Sequence, residues 1–411
     1  MTLSPAIAVT GRAALAMFLA FAVAYFLSAL LRAVTATLAP AFSTELGLSA
    51  ADLGLLAGAY FLGFALTQLP LGRWLDRFGP RRVLLAFLSV AILACAGFAV
   101  ATSFAALWLA RAFIGVGVSA CLMAPLTAYR HRFGDVAQLR ANSWMLMTGS
   151  LGMLASTLPV QWLLPALGWR GLFWAVGGML LLSMALIAWI VPLDHRDARG
   201  ADDAIVRPSV GYAEIFRHAY FVRLMPLAFV VYGGLLAVQS LWAGPWLTTV
   251  AGHSAAEAAR GLFGINLSML FAFLSWGLVM PHLRKIGWTV NHLIGWGVPL
   301  SLTFLCLIVI MGSSAGAPWW AAWCVSCTFV SLSQPAVGQA FPPALAGRAL
   351  SAFNLVIFAG VFFVQWGIGL AIDAIVVMGW SRQDAFRAAF GLFGLCATGA
   401  HAWFLLRRSD G

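Results

Sequence analysis

Long apolar stretches separated by short polar breaks run through almost the whole chain. They fall at approximately 13–38, 51–71, 83–102, 105–128, 141–165, 170–192, 223–247, 258–280, 290–312, 317–341, 349–378 and 384–406. A stretch of about 20 residues crosses a hydrocarbon layer of ~30 Å at a rise of ~1.5 Å per residue. Only helices and closed barrels satisfy their own backbone in lipid. Barrel strands would alternate apolar and polar positions over ~10 residues, whereas these stretches are longer and apolar on every side. The pattern therefore predicts an all-α membrane protein with twelve transmembrane helices.

Composition agrees. Of 411 residues, 62% are hydrophobic and 9% are charged. A soluble domain carries about 25% charged residues, so a water-covered surface cannot be built from this chain. The net charge of +11 does not point to nucleic acid, because the basic residues are scattered singly between apolar stretches. The six cysteines all lie inside those stretches, so no disulfide framework is expected. No nucleotide-binding loop, serine-hydrolase elbow or zinc-protease motif occurs, so neither an enzyme nor a resident cofactor is expected. The first stretch is read as the first spanning helix and not as a removable signal peptide.

Basic residues also set an orientation. With both ends of the chain on one side, 18 Arg or Lys residues fall in loops on that side and 4 on the other. The remaining two, Arg32 and Arg111, lie inside spans. Cytoplasmic loops are enriched in Lys and Arg. The expectation is a multi-pass protein of the cytoplasmic (inner) membrane with both termini cytoplasmic.

The longest polar stretch, 194–222, divides the spans six and six. It predicts an N-terminal bundle over 1–193, a cytoplasmic linker over 194–222 and a C-terminal bundle over 223–411. Tyr212, Ile215, Phe216 and Ala219 have helical spacing, which predicts a short helix on the inner membrane surface. The halves echo each other. Val160-Gln161-Trp162 in the fifth stretch recurs as Val364-Gln365-Trp366 in the eleventh, and Gly168-Trp169 recurs as Gly379-Trp380. Two pseudo-symmetric six-helix bundles are expected, and such repeats place a solute site at their interface near the midplane.

Between the second and third stretches stands Gly72-Arg73-Trp74-Leu75-Asp76-Arg77-Phe78-Gly79-Pro80-Arg81-Arg82. Gly72 is read as allowing close helix approach. Asp76 is read as a cap or an Arg partner, and Gly79 with Pro80 as a tight turn. This segment resembles the signature loop of the major facilitator superfamily, G-x-x-x-D-R-x-G-x-R-R. Arg111-Ala112-Phe113-Ile114-Gly115-Val116-Gly117 resembles a second pattern of that family, R-x-x-x-G-x-G. The resemblance implies a bacterial secondary transporter working by alternating access. It implies an inner gate at Gly72, Asp76, Arg77, Gly79, Arg81 and Arg82 that stabilises the outward-open state. It does not name the solute. The Gly-Pro element of the family's drug antiporters is missing from Gly149–Pro159.

Candidate solute contacts come from polar residues inside spans. Tyr25, Ser28, Arg32 and Thr35 are spaced along one helical face. A guanidinium inside a membrane marks function by default and suits carboxylate or phosphate. A small organic anion is therefore the expected solute, with Arg32 as its contact. Tyr25, Tyr232, Gln239, Trp242, Asn354 and Gln365 are expected to form the cavity wall. Arg111 and Asp373, the one acid inside a span, are candidates for a coupling relay. Efflux of drugs or other apolar compounds is the alternative. Soft-metal (copper) import is a weaker one, resting on Cys324 and Cys327. The expected partners are a small solute and the lipid bilayer, with no nucleic acid, and the protein is expected to act as a monomer.

Overall fold

The computed structural model describes residues 11–192 and 211–407. Residues 193–210, which include most of the proposed linker, lie outside the described residues. Among the described residues the chain is helical, with short turns and no strand. The helices are α1 (Gly11–Leu46), α2 (Ala50–Phe78), α3 (Pro80–Val100), α4 (Phe104–Val118), α5 (Ala120–Arg132), α6 (Asp135–Ala155) and α7 (Leu158–Ile190). The short α8 (Tyr212–Arg217) follows, then α9 (Ala219–Val250), α10 (Ala255–Lys285), α11 (Val290–Met311), α12 (Ala317–Ser331), α13 (Ser333–Gln339), α14 (Pro343–Val377) and α15 (Arg382–Leu406).

Among the described residues, ten helical stretches are each long and apolar enough to cross a membrane. Two further crossings are made by broken helices, completing twelve. The fifth runs through α6 into the start of α7, up to a turn at Gly168 (φ 62°). The tenth is α12 continued by α13. Proline explains both breaks. Its ring clashes with the carbonyl four residues back and it has no N–H. Pro159 and Pro335 stand four residues after Ala155 and Ser331, the last residues of α6 and α12. Hydroxyls bond carbonyls beside both breaks. The Thr37 hydroxyl of α1 donates to Ser156 O at 2.8 Å. The hydroxyls of Thr157 and Ser333 donate to Leu154 O and Val330 O, each at 2.6 Å.

The repeats read from sequence fall at matching turns. Gly168 and Gly379 (φ 93°) both take the left-handed conformation that reverses the chain between crossings. The bundles meet pairwise. α2 lies along α14, α10 packs against α6 and α7, and α1 packs against α9. α8 forms where helical spacing predicts it, but it turns inward. Ile215 is fully buried and the Tyr212 hydroxyl donates to Leu69 O at 3.3 Å.

We call the face where α1 begins and α15 ends proximal, and the opposite face distal. The tight contacts between bundles lie toward the distal face. A Cβ built on Gly54 would stand 2.3 Å from Gln365 O, and one on Gly244 2.4 Å from Ala36 O. Midway along the seam, Phe64 of α2 meets Phe358 of α14 with ring centroids 4.5 Å apart.

Gly72 does not do what its spacing suggests. It is exposed, and nothing lies within 4 Å of a Cβ built on it. Close approach falls instead at Gly115 of α4, where a Cβ would stand 1.9 Å from Tyr60 O. Backbone cannot yield there as a flexible side chain could. Gly115→Val is expected to destabilise the protein by about 1–3 kcal/mol. Gly72→Val is expected to leave stability unchanged. Thermal unfolding of the two variants in detergent compares them directly.

Candidate functional site

Tyr25, Ser28, Arg32 and Thr35 share a stripe of α1, but their partners divide them. Ser28 donates to Val118 O of α4 at 3.4 Å. Thr35 accepts from Arg111 Nη2 at 2.6 Å, and the same nitrogen donates to Leu31 O at 2.8 Å. Arg111 is 1% exposed, and its guanidinium lies 5.1 Å from the Tyr60 ring centroid. This arginine clamps α4 to the α1 backbone.

Arg32 is placed differently. It is only partly buried, and its guanidinium lies 5.7 Å from the Phe64 ring centroid. Tyr60 and Tyr25 from its own bundle and Tyr232 from the other lie in its surroundings. Like Nε and Nη1 of Arg111, its Nε is buried without a hydrogen-bond partner. No described carboxylate pairs with it. The result is a cation at the seam between bundles, walled by phenol and phenyl rings.

Helix geometry puts these groups together. Tyr60 and Phe64 are four apart on α2, so they stand on one face. Tyr60 is fully buried, and its hydroxyl donates to Ser28 O at 3.2 Å, which seats its ring between the two arginines. The Tyr25 ring lies against Gly149 of α6, whose Cβ would stand 2.6 Å from Tyr25 Cε1. Tyr232 closes one of three wide π-helical segments of α9, Leu227–Tyr232, Val238–Trp242 and Trp246–Val250. Such widened turns are frequent at functional sites.

Several expected wall residues are engaged elsewhere. Gln239 donates to Asn266 Oδ1 at 2.8 Å and is 4% exposed. Trp242 donates to Gln365 O at 3.1 Å. Gln365 is fully buried and donates to Ser240 Oγ at 3.0 Å. Asn354 accepts from Gln334 at 2.6 Å. A buried amide in an apolar bundle pairs with the nearest polar group, so these four side chains join helices and do not reach Arg32. Sequence reasoning missed Tyr60, Phe64 and Phe358. Phe358 follows Asn354 by four residues and precedes Gln365 by seven, so the face already singled out on α14 contained it.

The proposed relay does not form. Asp373 accepts from Ala50 N at 3.1 Å and from Ala51 N at 2.7 Å. Arg111 sits beside Tyr60, nine residues further along α2, which is about 13 Å at the helical rise. The gating loop is also redistributed. Gly79 (φ 77°) ends α2, and Pro80 opens α3. Arg81 donates to Ala188 O near the end of α7, where a cation suits the helix dipole. The Arg77 guanidinium lies 5.1 Å from the Phe78 ring, and Arg82 is exposed. Asp76 is exposed, and it neither caps a helix nor pairs with a cation among the described residues. Cys324 and Cys327 are buried thiols packed with Trp320 and Trp323. Among the described residues no group of three or more His, Cys, Asp and Glu could hold a metal ion.

A helical bundle of twelve apolar crossings in two halves is a multi-pass membrane protein. The chain belongs to the Major Facilitator Superfamily, which it matches over residues 21–365. Members of this superfamily are transporters and not enzymes. The chain is similar to the 4-hydroxybenzoate transporter PcaK of Pseudomonas putida, with 27% identity over 65% of this chain and 64% of that protein. It thus spans just under two thirds of that relative's length. It is also similar to the cis,cis-muconate transport protein of Acinetobacter baylyi, with 26% identity over 76% of each. Its fold matches the crystal structure of a bacterial homologue of the human lysosomal transporter Spinster, inward-facing and unoccupied. That match has a TM-score of 0.74 at 18% identity, covering 97% of this chain and 98% of the other.

The two arginines are expected to respond differently to replacement. Arg111→Met leaves Leu31 O and Thr35 short of a donor in a dry interior and should destabilise by about 1–3 kcal/mol. Arg32→Met removes a cation without a protein counter-charge and should leave the melting temperature within a degree or two of wild type, a shift of about 0.5 kcal/mol or less. Differential scanning fluorimetry in detergent measures both.

Proposed function

We propose that this protein carries a small organic monoanion with an aromatic or otherwise apolar body, and that it works by alternating access. The carrying observation is Arg32, partly exposed at the seam and beside tyrosines of both bundles, with no carboxylate of its own. One available cation favours one negative charge. Arg111 is closed off at 1% exposure, with its Nη2 bonded to α1. The ring-lined wall of Tyr25, Tyr60, Phe64, Tyr232 and Phe358 favours a flat apolar body, with phenolic hydroxyls able to bond a carboxylate oxygen. The names of the relatives, which refer to 4-hydroxybenzoate and cis,cis-muconate, support an organic anion.

In this proposal the segments 1–193 and 223–411 rock against each other about the Arg32 site. Both termini are cytoplasmic, as the distribution of basic residues suggests, and the membrane is the bacterial inner membrane. The distal face is then the outer face, and the conformation described is closed outward. The unpartnered Asp76 fits this state. Asp76, Arg77, Arg81 and Arg82 would lock the cytoplasmic side only when the outer side opens.

The test is uptake of labelled 4-hydroxybenzoate into proteoliposomes holding the purified protein. Benzoate is expected to compete and benzamide, its neutral counterpart, is not. Arg32→Ala is expected to abolish uptake. Arg32→Lys is expected to weaken apparent affinity about tenfold or more, since a lysine lacks the planar fork that grips a carboxylate. Flux that survives Arg32→Ala, or equal competition by benzamide, would remove the anion assignment.

A further inference from the structure

The start of α2 shows a complete accounting of its free amides. An α-helix leaves the N–H groups of its first turn without intrahelical partners. Here Ser49 and Asp52 form a reciprocal cap. Asp52 N donates to Ser49 Oγ at 3.1 Å, and Ser49 N donates to Asp52 Oδ2 at 3.1 Å. The first intrahelical bond runs from Leu53 N to Ser49 O at 3.1 Å. Two donors remain, Ala50 N and Ala51 N. Both are taken by Asp373, which belongs to the other bundle and lies 322 residues further along from Ala51. One oxygen serves each amide, so both oxygens are engaged at the seam.

The reach of this carboxylate depends on backbone contact. A Cβ on Gly369 of α14, one turn before Asp373, would stand 2.3 Å from Ala50 O. With Gly54 against Gln365 O, the two helices touch main chain to main chain over the last turns before the distal face. The bond between an acid and a helix N-terminus is charge-assisted. It crosses the boundary between the moving bodies. It can exist only while the distal face is closed, because separating α2 from α14 breaks both of its bonds together.

We infer that Asp373 is the latch of the distal gate, a carboxylate of one bundle that holds the first turn of α2 in the other and so selects the distal-closed state. A contact made in one conformation only shifts the equilibrium toward that conformation by its full differential strength. The local Ser49–Asp52 cap persists in both states and contributes nothing to the choice. Asp373 is thus a conformational residue and has no contact with the Arg32 site.

The experiment measures the gate without any solute. Spin labels are placed at Thr102 and Ser314, exposed positions of distal loops in opposite bundles. The background lacks the two exposed thiols, Cys306 and Cys396. Double electron–electron resonance in lipid vesicles then reports the distal separation. Asp373→Ala is expected to raise the ratio of distal-open to distal-closed molecules about fivefold or more. Asp373→Asn, which keeps shape and one acceptor oxygen, is expected to produce a smaller rise and guards against misfolding of the alanine variant. Glu257→Gln serves as control, since Glu257 accepts from Ser254 N and Oγ within its own bundle at 2.8 Å. Distance distributions of both Asp373 variants that superimpose on wild type would overturn the latch. So would an equal shift from the Glu257 control.

Discussion

Inside hydrocarbon a polar group has no water to fall back on, so each one must find a protein partner or face a cavity. Most of this structure follows from that constraint. The amide side chains pair with one another, Gln239 with Asn266 and Gln334 with Asn354. Serine and threonine hydroxyls bond carbonyls beside the proline breaks. Arg111 is held by a carbonyl and a hydroxyl of α1. Arg32 stands apart. Tyrosines of both bundles surround it, and no described carboxylate pairs with it. Arg32 is a partly exposed guanidinium at the seam of the two bundles.

The seam itself is asymmetric along its length. From the Phe64–Phe358 contact to the distal face, α2 and α14 meet through glycine backbones and end at the Asp373 bonds to Ala50 and Ala51. Toward the proximal face the same helix α2 carries exposed Leu66, Gly72 and Asp76. Helix association in membranes depends on close packing and hydrogen bonds, since lipid tails are as apolar as the side chains. Small residues and one carboxylate can therefore decide which end of a seam is shut. Glu45 with Trp169 and Arg170, and Arg387 with the carbonyls at the end of α11, stiffen each bundle on the distal face without crossing between them.

Much was legible in the one-dimensional pattern. Twelve apolar stretches of spanning length predict twelve crossings, because lipid admits little else. The position of Arg32 inside the first stretch set it apart as a candidate for the same reason. The loop and glycine motifs pointed to the superfamily that the chain belongs to. The matched Gly168 and Gly379 appear at equivalent turns, where a left-handed backbone excludes most other residues.

What sequence could not decide was which polar groups would meet. Helical spacing tells which residues share a face, but not which neighbour that face finds. Ser28, Arg32 and Thr35 share a stripe, yet two of them bond α4 and one turns to the seam. Gln239, Trp242, Asn354 and Gln365 had the right faces and were claimed by nearer partners. Gly72 had the family spacing and open space around it, while Gly115 carried the contact. Asp373 and the α2 amides lie more than 300 residues apart, and only packing two bundles together brings a carboxylate to a helix end. The chain's own chemistry determined that it spans a membrane and buries a cation, because transfer free energies act residue by residue. Which partners that cation and that carboxylate have was settled by tertiary structure, because hydrogen bonds depend on distance and direction between helices.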